Sequence, residues 1–329
     1  MKICIDDKIP YIRGVFEEYA SVEYLPGGVL PPGKHCDADA LIIRTRTLCN
    51  AATLQNCPQL RFIATATIGY DHIDTAYCQS HGISWTNAPG CNADSVAMYI
   101  MAALGELARR HGFALEERCL GIVGVGEVGG RVAALARSRG CRVLENDPFK
   151  QAVHPSYVSL EEIIARADII TLHPWLSHEG PHATWHLFDR ERLYRLKAHQ
   201  ILINASRGEV VDNTALKEVL QARRIQAAVL DVWEHEPHID TELLPLLDIA
   251  TPHIAGYSID GKANGTRMSV QAVARYFGLE PLYQWKVEGL PRCTPVYNIL
   301  LDDAALRLHP ADFESLRPQA AITRVLSKL

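Results

Sequence analysis

The chain has 329 residues, room for about two domains, and is 48% hydrophobic and 22% charged, the make-up of a globular protein with a large buried core. Its 33 Lys and Arg against 38 Asp and Glu leave a net charge of −5, without the basic footprint by which a general nucleic-acid binder neutralises phosphates. No run reaches the roughly 18 apolar residues of a membrane span, and Asp6 and Asp7 fall where a signal peptide would stay apolar. The expectation is a cytosolic-type protein with neither nucleic acid nor membrane as partner.

In chain order, strands are expected at Lys2–Ile5, Ala40–Arg44, Phe62–Thr65 and Ile83–Thr86, then at Leu120–Val125, Arg142–Asn146, Ile169–Leu172, Ile201–Asn204, Ala227–Asp231 and Asp248–Ala250. Many lack polar alternation, as strands do when helices cover both faces of a parallel sheet. Amphipathic segments at 129–139, 159–165 and 213–222 lie between them, so the order strand–helix–strand repeats. The fold class is α/β with two doubly wound domains. Asn87-Ala-Pro-Gly90 punctuates the end of the first block, and a helix from about Asn92 or Asp94 to Arg110 leads into the second. The second block closes near Thr251-Pro252, after which a helix near 265–276 packs back on the first. Domains are therefore expected over 1–93 and 253–280, over 94–252, and as a short Pro- and charge-rich tail over 281–329. Nine cysteines, an odd number with no Cys-x-x-Cys pair, read as free thiols rather than a disulfide framework.

Gly124-Val-Gly126-Glu-Val-Gly129 follows the strand that starts at Leu120 and opens the next helix. In that context each glycine has its own mechanical role. Gly124 permits the tight turn, Gly126 the approach of backbone to a pyrophosphate, and Gly129 the packing of helix on strand. The pyrophosphate would sit over the helix N-terminus, where free N–H groups and the dipole favour anions. Asp147 lies 18 residues past Gly129, after the following strand. A carboxylate there accepts hydrogen bonds from the adenosine ribose and repels a 2′-phosphate, which favours NAD over NADP. Glu127 is an oddity, a negative charge inside the loop.

Three later segments put polar residues at strand ends: Asn204-Ala-Ser-Arg207-Gly208, Leu230-Asp231-Val-Trp233-Glu-His-Glu236-Pro237, and Thr251-Pro-His253-Ile-Ala-Gly256-Tyr257. Each alone could be structural. Together, downstream of a dinucleotide loop, they supply what oxidation of a 2-hydroxy acid needs. Arg207 holds the carboxylate. His253 takes the hydroxyl proton, and Glu236 orients its ring and favours the protonated form. His178, His182 and His186 resemble a metal ladder, but Gly180-Pro181 breaks any helix, so a loop that merely contains histidines is expected, with no metal. Cys91 reads as a small residue lining the cleft.

These motifs, with Thr65-Ala-Thr67-Ile-Gly69-Tyr-Asp71-His72, Asn87–Ala93 and Gly256–Thr266, resemble the D-isomer-specific 2-hydroxyacid dehydrogenase family over about residues 1–275. The last two are marks of a branch that oxidises 4-phospho-D-erythronate with NAD on the way to vitamin B6. The resemblance implies a flavodoxin-like substrate domain, a Rossmann NAD-binding domain and a cytoplasmic homodimer. It implies Arg207, Glu236 and His253 as catalytic residues, Thr45, Thr67 and Tyr257 as substrate contacts, and Asp147, Asp231 and Gly256 as NAD contacts. The chain departs from the family pattern at Pro174 (a Thr is usual), Met98 (Glu) and Asn264 (Arg), and its tail is short for the branch's C-terminal dimerisation domain. A substrate phosphate needs cations, and Arg44, Arg46 and Lys262 are the candidates. Rival readings are a phosphoglycerate- or glyoxylate-type dehydrogenase and an NAD(H)-sensing protein without turnover.

Overall fold

The computed structural model describes residues 1–28, 30, 36–151 and 153–327. The chain forms two compact units, Met1–Asn92 with Ile259–Arg292, and Ala93–Ser258 with Cys293–Leu329. Both are discontinuous in sequence.

The first unit is built on a parallel sheet of β1 (Lys2–Asp6), β2 (Ser21–Leu25), β3 (Ala40–Ile43), β4 (Phe62–Thr65) and β5 (Ser84–Thr86), in the order β2-β1-β3-β4-β5. Alternate side chains serve opposite layers, as the pleat requires. Ile3, Ile5, Ile42 and Ala64 pack with Val270, Val273 and Ala274 of the helix Ile259–Phe277. Cys4, Leu41, Ile43 and Ile63 pack with Leu54, Cys57 and Cys78 on the other face. Strand β2 has no counterpart among the expected strands. It pairs with β1 from Lys2↔Ser21 to Asp6↔Leu25, but it is an edge strand in which only Leu25 is buried, so its residues carry no apolar run.

The second unit has β6 (Cys119–Val123), β7 (Arg142–Asn146), β8 (Ile169–Leu172), β9 (Ile201–Asn204), β10 (Ala227–Leu230) and β11 (Ile249–Ala250), parallel, in the order β11-β10-β9-β8-β6-β7. The helices Ala93–His111 and Glu127–Ser138 cover one face, filling it with Ala97, Leu104, Leu107, Val132 and Ala136. Leu160–Arg166, Arg190–Arg195 and Asn213–Gln221 cover the other through Ile163, Leu193, Leu216 and Val219. Two of these starts are set by local chemistry: Ser159 and Glu162 form a capping box, and the Asp212 carboxylate accepts the Ala215 N–H.

The segment expected as a tail from 281 is divided between the units, and Cys293 onward is part of the second. Its helix Ile299–Leu308 lies along β11, the edge strand. The Asp303 carboxylate accepts the Ala250 N–H at 2.7 Å, and Arg307 bonds to Asp303 and to the carbonyls of Leu244 and Leu247. Phe313 and Leu306 are fully buried in the core beneath. An edge that would otherwise offer unpaired backbone groups is thus capped by side chains of the chain's own end. Among the described residues no helix is long and apolar enough to cross a membrane, and eight of the nine cysteines are buried free thiols, with Cys293 exposed.

Candidate active site

Parallel sheets present ligands at the carboxyl ends of their strands, where the strand order reverses. In the second unit that point lies between β6 and β8. Gly124, at φ +83°, turns the chain there, and a Cβ on it would come within 2.6 Å of the Pro174 nitrogen. A Cβ on Gly129 would lie 2.1 Å from the Gly124 carbonyl oxygen, so no side chain fits at either position. Gly126 begins the helix Glu127–Ser138, and a Cβ there would meet nothing within 4 Å. The space over this helix end is open, as a cradle for a pyrophosphate must be. Glu127 pairs with Arg131 one turn on, at 2.7 Å, which accounts for the negative charge in the loop. The Asp147 carboxylate closes the loop from the side, accepting the Val125 N–H at 3.2 Å and the Lys150 N–H at 3.3 Å.

Three further loops of the same unit converge. Gly208 follows Arg207 directly, and a Cβ on it would overlap the Trp233 backbone at 2.0 Å. Trp233 in turn donates from its indole to the Thr251 carbonyl at 2.9 Å. Arg207, Glu236 and His253 are thereby brought together, lining a cavity of about 230 Å³ with Gly208, Glu209, Trp233 and His235. His253 Nδ1 and Glu236 Oε2 are 2.7 Å apart, and Glu236 Oε1 accepts the Trp233 N–H at 2.9 Å. With Nδ1 bound to the carboxylate, the ring's Nε2 is the atom left for proton exchange. Burial works to raise the Glu236 carboxyl, but the charge and hydrogen bond of His253, the Trp233 N–H and the charge of Arg317 outweigh it and hold Glu236 below the ordinary range.

His253 sits at φ +54°, a left-handed conformation that costs a non-glycine residue free energy. Asp231 over-determines it. Its peptide carbonyl accepts the His253 N–H at 2.7 Å, and its buried carboxylate accepts the N–H groups of Ile254 and Ala255, both at 2.9 Å, and the Thr251 hydroxyl at 2.6 Å. Asp231, expected at the cofactor, acts here as the frame of the histidine loop. Ser95, in the first turn of the helix Ala93–His111, takes the Ala255 carbonyl and the Ser258 N–H, so Gly256 and Tyr257 are held between two fixed points. Glu234 and Glu236 face different histidines: Glu234 Oε1 lies 2.7 Å from His186 Nε2. Of the apparent ladder, His182 meets Phe149 edge-on, while His178 and His186 both lie against Trp185.

In the first unit, Thr45 and Arg46 lie in the exposed turn after β3, and Thr67 follows β4, its hydroxyl 2.7 Å from Thr65 Oγ1 and 2.9 Å from the Gly69 carbonyl. Arg44 departs from the expectation. Its guanidinium makes a two-pronged contact with the fully buried Asp6, Nε to Oδ2 at 2.8 Å and Nη2 to Oδ1 at 3.1 Å. That edge of the guanidinium is committed to Asp6, while the Arg44 side chain stays 27% exposed. Lys262 is on the helix Ile259–Phe277, where Asn264 donates to the Cys91 carbonyl at 3.2 Å. A Cβ on Gly265 would be 2.5 Å from the Ala66 carbonyl, so this motif glycine serves packing on the loop after β4. Burial pushes the Cys91 thiol up to about 12, which leaves it no nucleophilic character near neutral pH. Met98 is buried in the core of the second unit.

Residues 100–255 match the family model described as D-isomer specific 2-hydroxyacid dehydrogenase, NAD binding domain. An erythronate-4-phosphate dehydrogenase of Bacteroides fragilis is 47% identical, the match covering 98% of this chain and 97% of that protein. The chain belongs to the D-isomer specific 2-hydroxyacid dehydrogenase family. A protein of the same name from Azotobacter vinelandii is 46% identical over 85% of this chain and 74% of its own length. The fold also matches a D-lactate dehydrogenase of Aquifex aeolicus solved with NAD and lactic acid, at TM-score 0.68 and 26% identity, over 88% of this chain and all of that one. The chain is an NAD-dependent dehydrogenase, and the residues around the glycine loop suit that cofactor.

Two features of this unit escaped the sequence reading. Phe149, just past Asp147, and Trp175, just past Pro174, are both more than half exposed and stack with ring centroids 5.4 Å apart. They follow β7 and β8, 26 residues apart, and only the sheet order brings them together. The other is Arg317, from the tail, whose guanidinium stands 5.2 Å over the Tyr257 ring.

Proposed function

We propose that the chain oxidises 4-phospho-D-erythronate at C2 to (R)-3-hydroxy-2-oxo-4-phosphooxybutanoate, as a step of pyridoxine biosynthesis. The observation that carries the reading is the 2.7 Å His253–Glu236 pair in one cavity with Arg207, in a chain 47% identical to a protein named for this substrate. NAD, when bound, supplies the acceptor for the two electrons that leave C2. Gly124, Gly126, Gly129 and Asp147 hold it, with Asp231 and Gly256 at the second loop. Arg207 binds the substrate carboxylate, and His253 takes the hydroxyl proton on Nε2 as C2 is oxidised. Glu236 stabilises the imidazolium that results and keeps its orientation. Thr45, Thr67 and Tyr257 contact the substrate, and Arg46 and Lys262 serve its phosphate, with Arg44, tied to the buried Asp6, anchoring the turn that carries Arg46. The working form is a cytoplasmic homodimer.

The test is NADH production from 4-phospho-D-erythronate with a carbonyl trap, beside 3-phospho-D-glycerate and unphosphorylated erythronate. A clear preference for the first supports the reading. Turnover of the others alone assigns a different 2-hydroxy acid, and NADH binding without any turnover makes the chain a sensor.

A further inference from the structure

The C-terminal segment carries one charged group into the surroundings of the active site. Arg317 follows the short helix Phe313–Leu316, whose Phe313 is fully buried, so its backbone is anchored in the core. Its side chain is 14% exposed, its guanidinium lies over the Tyr257 ring at 5.2 Å, and Nη1 bonds Glu314 at 3.0 Å. Its Nε–H is buried and makes no hydrogen bond. A buried guanidinium left partly unsatisfied costs free energy that packing alone does not demand, because an apolar side chain would fill the same space.

We propose that Arg317 is a positioning residue of the reaction, holding the Tyr257 ring by a cation–π contact and adding its charge to those that act on Glu236. This deepens the function proposed above and rests on it for the roles of His253 and Tyr257. The charged and titratable groups facing Glu236 are His253 from the loop after β11, Arg317 from the C-terminal segment, and Arg207, Glu209 and His235 around the cavity. Those facing Arg317 are Tyr257, Glu314 and Glu236. The Arg317 charge favours ionised Glu236, the form that orients His253.

The experiment compares R317Q, R317K and E314Q in the full chain. Three readouts are taken: kcat and KM for 4-phospho-D-erythronate across pH, the Glu236 carboxyl carbon titration by NMR (assigned with E236Q), and Tm. In R317Q, kcat/KM falls roughly tenfold, the acid limb of its pH profile moves to higher pH, and Glu236 titrates higher than in the wild type. R317K restores the titration while leaving KM raised, because an ammonium carries the charge without the planar stack. E314Q, which removes the other partner of Arg317, changes Tm with no movement of either profile. If R317Q lowers Tm but moves neither the pH profile nor the Glu236 titration, Arg317 is structural only and the inference is overturned. Should the wild type turn over no 2-hydroxy acid, the proposed function fails, while the Glu236 titration still decides the electrostatic part.

Discussion

Two cation–carboxylate pairs in this chain have nearly the same length and opposite meanings. Arg44 and Asp6 in the first unit meet at 2.8 Å, and His253 and Glu236 in the second at 2.7 Å. Asp6 is fully buried and also accepts the Lys8 N–H at 2.8 Å, and its partner is a cation that never gives up its charge. That pair is a strut. In the other, the ring is 32% exposed and Nε2 remains outside the pair, on a side chain that can both take and give a proton. What separates a strut from a catalytic pair is therefore the ability to exchange a proton, and contact length says nothing about it.

The comparison breaks most sharply at the histidine. His253→Ala should lower kcat by about 10²–10⁴-fold while NADH binding, followed by its fluorescence, stays close to wild type. Near-normal kcat with the chemical step still limiting would remove the proton-transfer role. Arg44→Met should instead cost about 3 kcal/mol of stability in urea unfolding, because it strands a buried carboxylate. The double variant R44M/D6N should recover part of that loss. An unchanged unfolding midpoint with a raised KM for phosphorylated substrate would invert the comparison and make Arg44 a ligand. Glu236→Gln keeps the shape and removes the charge, so kcat should drop roughly a hundredfold with little change in Tm. An equal loss of stability would show this pair to be a strut as well.

His173 sharpens the point at smaller scale, as a histidine with no carboxylate partner. Its Nε2 is 2.9 Å from Thr171 Oγ1 and its Nδ1 is enclosed without a hydrogen bond. Burial pushes its pKa down to about 3. The unfolded chain therefore takes up this proton near pH 6.5, before the folded chain does. The stabilisation is full above pH 6.5 and drains away as the pH falls from there toward about 3. In urea midpoints, any stability advantage of the wild type over H173N should shrink as the pH is lowered from 7 to 4.5. A constant gap would mean that His173 protonates alike in both states.

Central features were legible because their residues have few alternatives. Gly124 and Gly129 stand where any side chain would collide with backbone, and the buried strands β8, β9 and β10 are apolar runs that admit little else. The convergence of Arg207, Glu236 and His253 could be anticipated from their place after such strands. Other features depend on partners distant in sequence and leave no local trace. Strand β2 is recognisable only beside β1. Arg44 looked like a phosphate ligand because its acid, Asp6, is 38 residues earlier. Phe149 and Trp175 become a stacked pair only through the sheet order, and Arg317 finds Tyr257 only after the tail has folded onto its unit. Nothing near Asp303 in sequence hinted that its partner is the Ala250 amide.

That last bond bears on the order of synthesis. Domains generally fold as units while the chain emerges N-terminal end first. Here the first unit awaits the helix that begins at Ile259, and the edge of the second sheet, complete in its strands by Ala250, awaits Asp303. Each unit is thus finished by residues made after the other has begun, and β11, directly before the histidine loop, gains its edge support only once Asp303 has been made. A chain stopped at Arg292 should hold the first unit intact against protease while the loop around His253 is cut, a pattern that the finished chain should lose.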